Sequence, residues 1–468
     1  MAMVVKNNMS AVNTLNTLNK NESALSKSLQ KVSSGMKINS AGDDASGMAI
    51  SERMRVQVRA LDQDDDNTKN GSALLRTAEG AVQSTIEILK TLKDKAINAA
   101  NDTNTDEDRA VIQKEIDRLI DQIDDNALTT YNGKYLLDGT QNGVVKGQIG
   151  TGTQSTYANM SLATDTTDLT PLVDLKRRDG SALSIDPHDS VTATWTKNGV
   201  TYSGTINPIL DTNINDMVGI ITAWDGGLYG VTSLVGVDEY GKPVYTPDNQ
   251  PAVSIRATNP GVTGQISGIT FRVMGRDGRM RNEVNAVLDD FRETVRAQNP
   301  SEDNSLVLQT GTRANQNVKV GFTDMRSAAL GLQSANGQGW DHTPMAAPPV
   351  PGSSPNSKTW NGVVGGGPKI QVTTREAANA AINVFQNALI RATDQAVAIG
   401  AAQNRLGFTS NNLVVASENV QSSESVIRDS DMAKEMTAYT KNNVLTQAAQ
   451  AMLAQANQSS SAVLSLLK

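Results

Sequence analysis

From Lys369 to Lys468 the chain runs one hundred residues without proline and with only two glycines, Gly400 and Gly407. Phe385, Ala392, Ile399, Leu406, Leu413, Val420 and Ile427 fall seven residues apart, and Leu389 and Ala396 add a second stripe four residues on. A strict seven-residue repeat keeps one seam of an α-helix turned toward a partner helix, where side chains interlock. After Asp431 the beat restarts in a new register through Leu445, Ala449, Met452, Ala456 and Val463, then Leu466 and Leu467. A helix of this kind cannot bury its stripe alone.

Composition shows where a partner lies. All 14 prolines fall between Pro171 and Pro368, and all four tryptophans and both histidines fall in the same middle. The first 170 residues and the last hundred are therefore proline-free arms around a proline- and glycine-rich centre. A chain of 468 residues has room for about three domains and a sizeable core. The net charge of −7 is mild and argues against nucleic acid or an anionic membrane as the main partner. No apolar run is long enough to span a bilayer. The opening MAMVVKNNMS has no apolar signal region, so a cleaved signal peptide is not expected. Without cysteine there are no disulfides.

In chain order, Leu18, Leu25, Leu29, Val32 and Met36 give Val12 to Met36 a coiled-coil spacing. Turn and cap residues follow at Ser33-Ser34-Gly35 and Ser40-Ala41-Gly42-Asp43-Asp44. A second helix is expected from about Ala45 to Ala100, with Met54, Leu61, Thr68, Leu75, Val82, Leu89 and Ala96 on one seam. At 1.5 Å per residue it would reach roughly 80 Å. Thr105 with Asp108 reads as a capping box for a third helix carrying Ile112, Ile116, Leu119 and Ile123. Beyond Tyr135 the period becomes alternating. Val191–Trp195 and Val200–Ser203 flank Lys197-Asn198-Gly199, a type I′ hairpin signal. Short strands are expected near Val231, Val253 and Ile269, a helix over Met280–Ala297, and a hairpin between Ser305 and Phe322. Residues 333–368 hold six prolines and read as an irregular loop.

No chemistry-bearing constellation stands out. Asp43-Asp44 could be a metal or acid/base pair, but capping of a helix start is preferred. Asp62, Asp64 and Asp66 resemble the start of a calcium loop, yet Asn67 replaces the glycine and Ala73 the bidentate glutamate. A solvated helix face, or an inter-subunit charge contact, is expected there instead. His188 and His342 stand alone, outside any H-E-x-x-H. No nucleophile-elbow, Walker or dinucleotide loop occurs, and Gly365-Gly366-Gly367-Pro368 reads as a joint. No catalytic, cofactor or metal site is expected, and no enzyme activity.

The arms do carry recognisable motifs. KVSSGMKINSAGDDASGMAI, Lys31 to Ile50, resembles the signature of bacterial flagellins: Ser-Ser-Gly, two residues, Ile-Asn, a small residue, Asp-Asp-Ala and Gly. Ser34, Gly35, Asp43, Asp44 and Gly47 are its members here. GAAQNRLG, with Gln403, Asn404 and Arg405, is similar to the flagellin C-terminal motif. So are SENV (Ser417 to Val420), IRDSDMAKE, with Arg428 and Asp429, and the ending MLAQANQSSSAVLSLLK. The likeness covers about 1–140 and 305–468, less 333–368; the centre matches nothing nameable, as expected of flagellin outer domains.

The resemblance implies an α+β fold: a long antiparallel helical coiled-coil bundle of the two arms, with one or more β-rich outer domains inserted in the middle. Segments 1–33 and 431–468 would be inner-tube helices, disordered in the free subunit and folding on assembly. Residues 34–140 and 305–430 would form the bundle, with its hairpin and the 333–368 loop, and 141–304 the variable outer part. Ordering each residue costs about 1–2 kcal/mol of backbone entropy, so neighbouring subunits must supply apolar area. Leu18, Leu25, Leu29, Val32, Leu445, Met452, Val463, Leu464 and Leu467 are the expected polymerisation contacts. Ser33–Ala45 and about Gln421–Asp431 would be hinges.

The implied function is a structural subunit that self-polymerises into the flagellar filament for swimming. The alternative is a hook–filament junction protein, and a third class is an enzyme housed in the centre. The implied partners are copies of itself, an export chaperone and the export apparatus, and the filament cap and hook-associated proteins, outside the cell. Many flagellins also bind a Toll-like receptor through an Arg and a Leu four residues apart; those positions are Thr91 and Lys95 here, in a stretch beginning at Leu89. Glu115 matches the family's acidic contact, but losing a bidentate donor and an apolar anchor predicts poor receptor activation. Outer-domain O-glycans, common in the family, could fall on Thr151–Thr156.

Overall fold

A computed structural model describes residues 8–147, 150–207, 209, 212–225, 228–335, 338–339, 358–359 and 369–466. Helices α1 (Met9–Ser34), α2 (Ala45–Ala99) and α3 (Asp106–Ala127) precede the centre, α4 (Ile214–Asp225) and α5 (Asn282–Leu288) lie within it, and α6 (Arg375–Arg428) and α7 (Met432–Leu466) close the chain. The strands are β1 (Thr130–Tyr131), β2 (Lys134–Tyr135), β3 (Thr156–Asn159), β4 (Ser190–Lys197), β5 (Val200–Ile206), β6 (Leu228–Thr232), β7 (Leu234–Val237), β8 (Pro243–Tyr245), β9 (Ala252–Arg256), β10 (Ile266–Met274), β11 (Phe291–Val295), β12 (Leu306–Gln309) and β13 (Asn317–Val320). These elements form two compact units. One gathers Met1–Lys69, Gln309–Gln316 and Gly407–Lys468; the other gathers Asn70–Leu308 and Asn317–Leu406.

In the first unit α1 packs along α7. The pairing is antiparallel: Asn8 Nδ2 donates to the Ala456 carbonyl at 3.1 Å, Asn21 Nδ2 to the Leu445 carbonyl at 3.3 Å, and Asn442 Nδ2 to Ser28 Oγ at 3.1 Å. Its buried side chains are small or polar, namely Ser28, Thr446, Ala449 and Ala456, with Leu18 the one large apolar group among the described residues. The same unit pairs the start of α2 with the end of α6. Ser417 Oγ donates to Asp62 at 2.8 Å and Ser410 Oγ to Asp65.

In the second unit the seam spacing is fulfilled. Leu75, Val82, Leu89 and Ala96 of α2 and Phe385, Ala392, Ile399 and Leu406 of α6 are fully buried in one cluster. The heptad partners three residues on, Ala78, Leu92 and Ala99, complete α2's stripe. On α6 Ala388 and Gln395, three residues on, are buried, while the expected Leu389 and Ala396 are half-buried against the same cluster, so the partner lies on the +3 side of the seam. Lys93 Nζ to Gln386 Oε1 at 2.7 Å and Gln403 Nε2 to Glu79 Oε2 at 2.8 Å fix the antiparallel register. Ile116, Ile120 and Ile123 of α3 join the cluster, and the Thr105–Asp108 capping box is formed. Buried Arg109 donates to the carbonyls of Ala99 at 2.9 Å and Asn101 at 3.1 Å, satisfying orphan groups where α2 ends.

The centre builds its own core. One sheet has the order β10-β4-β5 and another β11-β3-β9-β6, all antiparallel. Trp195, Phe271, Tyr157, α4's Met217 and Ile221, and α5's Leu288 close a second cluster between them. Asn198 (φ 52°) and Gly199 (φ 73°) make the expected type I′ turn, with Lys197 opposite Val200. β12 and β13 form the expected hairpin.

Four expectations are corrected. Met280–Ala297 is not one helix: α5 stops at Leu288 and Phe291–Val295 is strand β11 against β3. The spacing 284, 288, 291, 295 also satisfies alternation at its C-terminal end, and Asp289, capping the Phe271 N–H, ends the helix. Gln421–Arg428 is helical, so the break before α7 narrows to Asp429–Asp431. Asp64 is buried rather than solvated. Within Thr151–Thr156, Thr153, Ser155 and Thr156 are also buried, which narrows the expected glycan range to exposed Thr151. Of the 333–368 loop, Gln338–Gly339 pairs with Lys358–Thr359; most of the rest, including Gly365–Pro368 and His342, lies outside the described residues.

Candidate assembly surface and hinge

The signature residues converge at one place in the first unit. α1 ends because Gly35 takes a left-handed φ of 71° while its N–H bonds back to the Lys31 carbonyl at 2.9 Å. Ser34 Oγ accepts from the Met36 N–H at 3.2 Å and tightens that exit. The chain then pairs briefly with the break between α6 and α7: Lys37 N–H to the Arg428 carbonyl at 2.7 Å, and Ser430 N–H to the Gly35 carbonyl at 3.0 Å. Both arms are thus clipped together where each changes helix.

The two aspartates act on the backbone. Asp43 Oδ2 accepts from the N–H groups of Asn39 and Ser40 and from the Ser40 hydroxyl, folding the loop. Asp44 Oδ1 accepts from the Ser46 and Gly47 N–H groups at 3.1 and 3.0 Å, capping α2. Both carboxyls are held below the usual range, Asp43 by its bonds from Ser40 and Asp44 by its bond from the Gly47 N–H. Gly47 has no room for a side chain: a Cβ would lie 2.5 Å from Asp44 Oδ2 and 2.7 Å from Ile38 Cδ1. The Asp-Ala-Ser-Gly string is therefore one physical unit, a cap folded over buried Ile38.

Arg428, nearly buried, spans the joint. Its Nη1 donates to Glu52 Oε1 at 2.6 Å and its Nε faces Met36 Sδ at 3.2 Å. The Arg428 bond, ahead of other causes, pulls the Glu52 carboxyl down. Asp429 accepts from the Ser425 hydroxyl, and Asp431 Oδ1 caps α7 through the Ala433 and Lys434 N–H groups. Glu52 escapes motif reading, and Met36 enters it only as a spacer, whereas Ile38 is the motif's own isoleucine; Glu52, seven residues into α2 and opposite Arg428, is the one a charge-pair search would find.

The expected polymerisation residues divide. Leu18 is buried in the α1–α7 seam, and Leu25 and Val32 are half-buried against it. Leu29, 51% exposed, and Met452, 63% exposed, point away from the seam, as does Leu445. Met9, Val12 and Leu15 of α1 and Met432, Met436 and Val444 of α7 are exposed with them. The side chains of Val463 and Leu464, and all of Leu467, lie outside the described residues.

The remaining motif residues sit in the second unit. Gln403 bonds Glu79, and Asn404 and Arg405 are exposed on α6. Leu89 is wholly buried in the α2 seam, Thr91 turns its hydroxyl to the Glu87 carbonyl at 3.0 Å, and Lys95 pairs with Glu115 at 2.9 Å. No helix among the described residues is long and apolar enough to cross a membrane.

Comparison with known proteins agrees with the motifs. The family model for the bacterial flagellin N-terminal helical region matches residues 5–142, and that for the C-terminal helical region residues 382–467. A flagellin of Clostridium tyrobutyricum is 34% identical over 461 residues, 97% of this chain and 99% of that one. A flagellin of Bacillus subtilis is 29% identical across 100% of both chains. A solved structure of FliC from Burkholderia pseudomallei is 18% identical, covering 72% of this chain and 99% of that one with a TM-score of 0.25.

Proposed function

Because this chain belongs to the bacterial flagellin family, and is a structural subunit that assembles with copies of itself into the flagellar filament, we propose that the outward faces of α1 and α7 are its main assembly contacts. The observation that carries this is the exposed row Val12, Leu15 and Leu29 on one helix and Leu445 and Met452 on its partner. The α1–α7 seam buries Ser28, Thr446, Ala449 and Ala456 with Leu18 as its one large apolar group, so pairing within one subunit leaves most of the apolar side chains uncovered. Copies of the chain supply the rest. On this reading 1–33 and 431–468 form the inner tube, 34–140 and 305–430 the surrounding bundle, and 141–304 the outer domains. The clip around Gly35 and Ser430 is the joint between inner and outer parts.

The chain's role is structural rather than catalytic. It reaches the filament tip through the flagellar export apparatus with a chaperone, and works with a cap and hook-associated proteins. Recognition by a Toll-like receptor is weak, since Lys95 occupies Glu115 and Leu89 is buried.

Leu29→Asp and Met452→Asp test the assembly reading. Burying either side chain is worth about 1.5–3 kcal/mol, so each change should raise the critical concentration for seeded filament growth at least tenfold. The monomer's helicity should be unchanged. Filaments forming at the parental concentration would remove these faces from the contact.

A further inference from the structure

The acid Asp64 has a setting unlike any other on its helix. Counting along α2, the seam positions are Leu61, Asp64 and Thr68 in the first unit, continuing as Gly71, Leu75 and Ala78. Asp64 therefore occupies a place that the five following heptads give to Gly71, Ala78, Thr85, Leu92 and Ala99. It is 5% exposed, and its Oδ2 is buried without a hydrogen-bond partner among the described residues. Thr68, the nearest seam hydroxyl, is committed to the Asp64 backbone carbonyl at 2.8 Å.

Its neighbours are treated differently. Asp62 accepts from Ser417 Oγ at 2.8 Å, while Asp65 accepts from Ser410 Oγ and pairs with Lys69 at 2.7 Å. A buried carboxylate with an unfilled oxygen is costly, whereas the neutral acid loses far less on leaving water. Burial, with no compensating charge, pushes the Asp64 carboxyl above its ordinary value. The charged groups of the stretches packed here are Glu418, Glu424 and Arg428 of α6, Arg313 of the Gln309–Gln316 tip, and Arg59, Asp62, Asp65, Asp66 and Lys69 of α2 itself. Arg428 is held by Glu52 and Lys69 by Asp65, so neither is committed to Asp64.

We propose that Asp64 is a proton-operated latch in the first unit: the α2–α6 seam closes most tightly while this acid is neutral and loosens around it as it ionises. The sign follows from burial. The folded seam binds the proton more firmly than the open seam, so closure is favoured at low pH and weakened as pH rises through the folded value. A polar group at a single seam position also limits the registers two helices can adopt, at a cost in stability.

Hydrogen exchange on the full-length monomer tests this, with intrinsic exchange rates divided out. Protection of amides in 58–69 and 407–417 should fall as pH rises from the ordinary carboxylate range through the folded value and level off above it, while 385–399 stays constant. Asp64→Asn and Asp64→Leu should both abolish the dependence, and Asp64→Leu should raise protection at neutral pH. Asp65→Asn, whose parent acid is satisfied by Ser410 and Lys69, should leave it intact. A flat parental profile, or a pH dependence that survives in Asp64→Asn, would overturn the latch.

Discussion

Glu293 and Arg391 join strand β11 to helix α6 inside the second unit, and breaking that join has a calculable effect. Arg391 Nε donates to Glu293 Oε2 at 3.0 Å, Nη2 donates to Oε1, and Nη1 donates to the Ala329 carbonyl at 2.7 Å. The side chains are 5% and 9% exposed, so solvent cannot take over for a missing partner. Removing one member of such a pair strands the other charge and costs about 3–5 kcal/mol. At about 2.1 cal/mol/K per residue, the roughly 330 residues of this unit unfold with an entropy near 0.7 kcal/mol/K. Glu293→Ala and Arg391→Ala should therefore each lower the unit's calorimetric transition by about 4–7 °C. The double change Glu293→Leu with Arg391→Met should recover most of the loss, because it removes both charges and keeps the volume. If either single variant melts within a degree of the parent, or the double is as damaged as the singles, the pair is not the fastener described here.

Two further outcomes follow from the same kind of reading. Gly47→Ala forces a Cβ into Asp44 and Ile38, so the α2 cap should be lost at about 1–2 kcal/mol, read as faster amide exchange at 45–49; unchanged exchange would mean the cap is not the reason for glycine. Burial pushes the Asp289 carboxyl up to about 7, against the opposing bond from the Phe271 N–H. The folded state thus holds this proton more firmly than the unfolded chain, whose value is near 3.8, so its contribution is full below that value and is lost as pH rises through 7. Asp289→Asn should flatten the urea-midpoint decline between pH 4 and 7.5, a difference on the order of 4 kcal/mol at most; an equally steep decline in the variant would refute the assignment.

The arms were readable because seam burial obeys a count. Of the seam set by spacing alone, Leu61, Thr68, Leu75, Val82, Leu89 and Ala96 are buried and Met54 is half-buried. The centre was readable only where a turn imposes its own chemistry, as at Asn198-Gly199. Val284, Leu288, Phe291 and Val295 fit a helix by period, but the fold spends the first two on α5 and the last two on β11. Nothing local decides between those readings; the partner strand β3 does, and it lies far away in sequence.

Asp64 departs from its sequence expectation for a different reason. A run of acids on a long helix is ordinarily a solvated face, and three of the four residues Asp62, Asp64, Asp65 and Asp66 do have water or polar partners. Yet the heptad count that placed Leu61 and Thr68 inside also places the residue three beyond Leu61 inside, and phase outranks residue type when the helix is long and continuous. The same precedence explains the assembly face. In α7 the expected stripe divides: the partner within the subunit takes Ala449 and Ala456, with Thr446 beside them, and leaves Leu445 and Met452 exposed. Small residues let two backbones approach closely while contributing little apolar area, so this pairing positions the helices rather than satisfying them. The larger side chains are left on the outside, where the proposed subunit contacts would cover them.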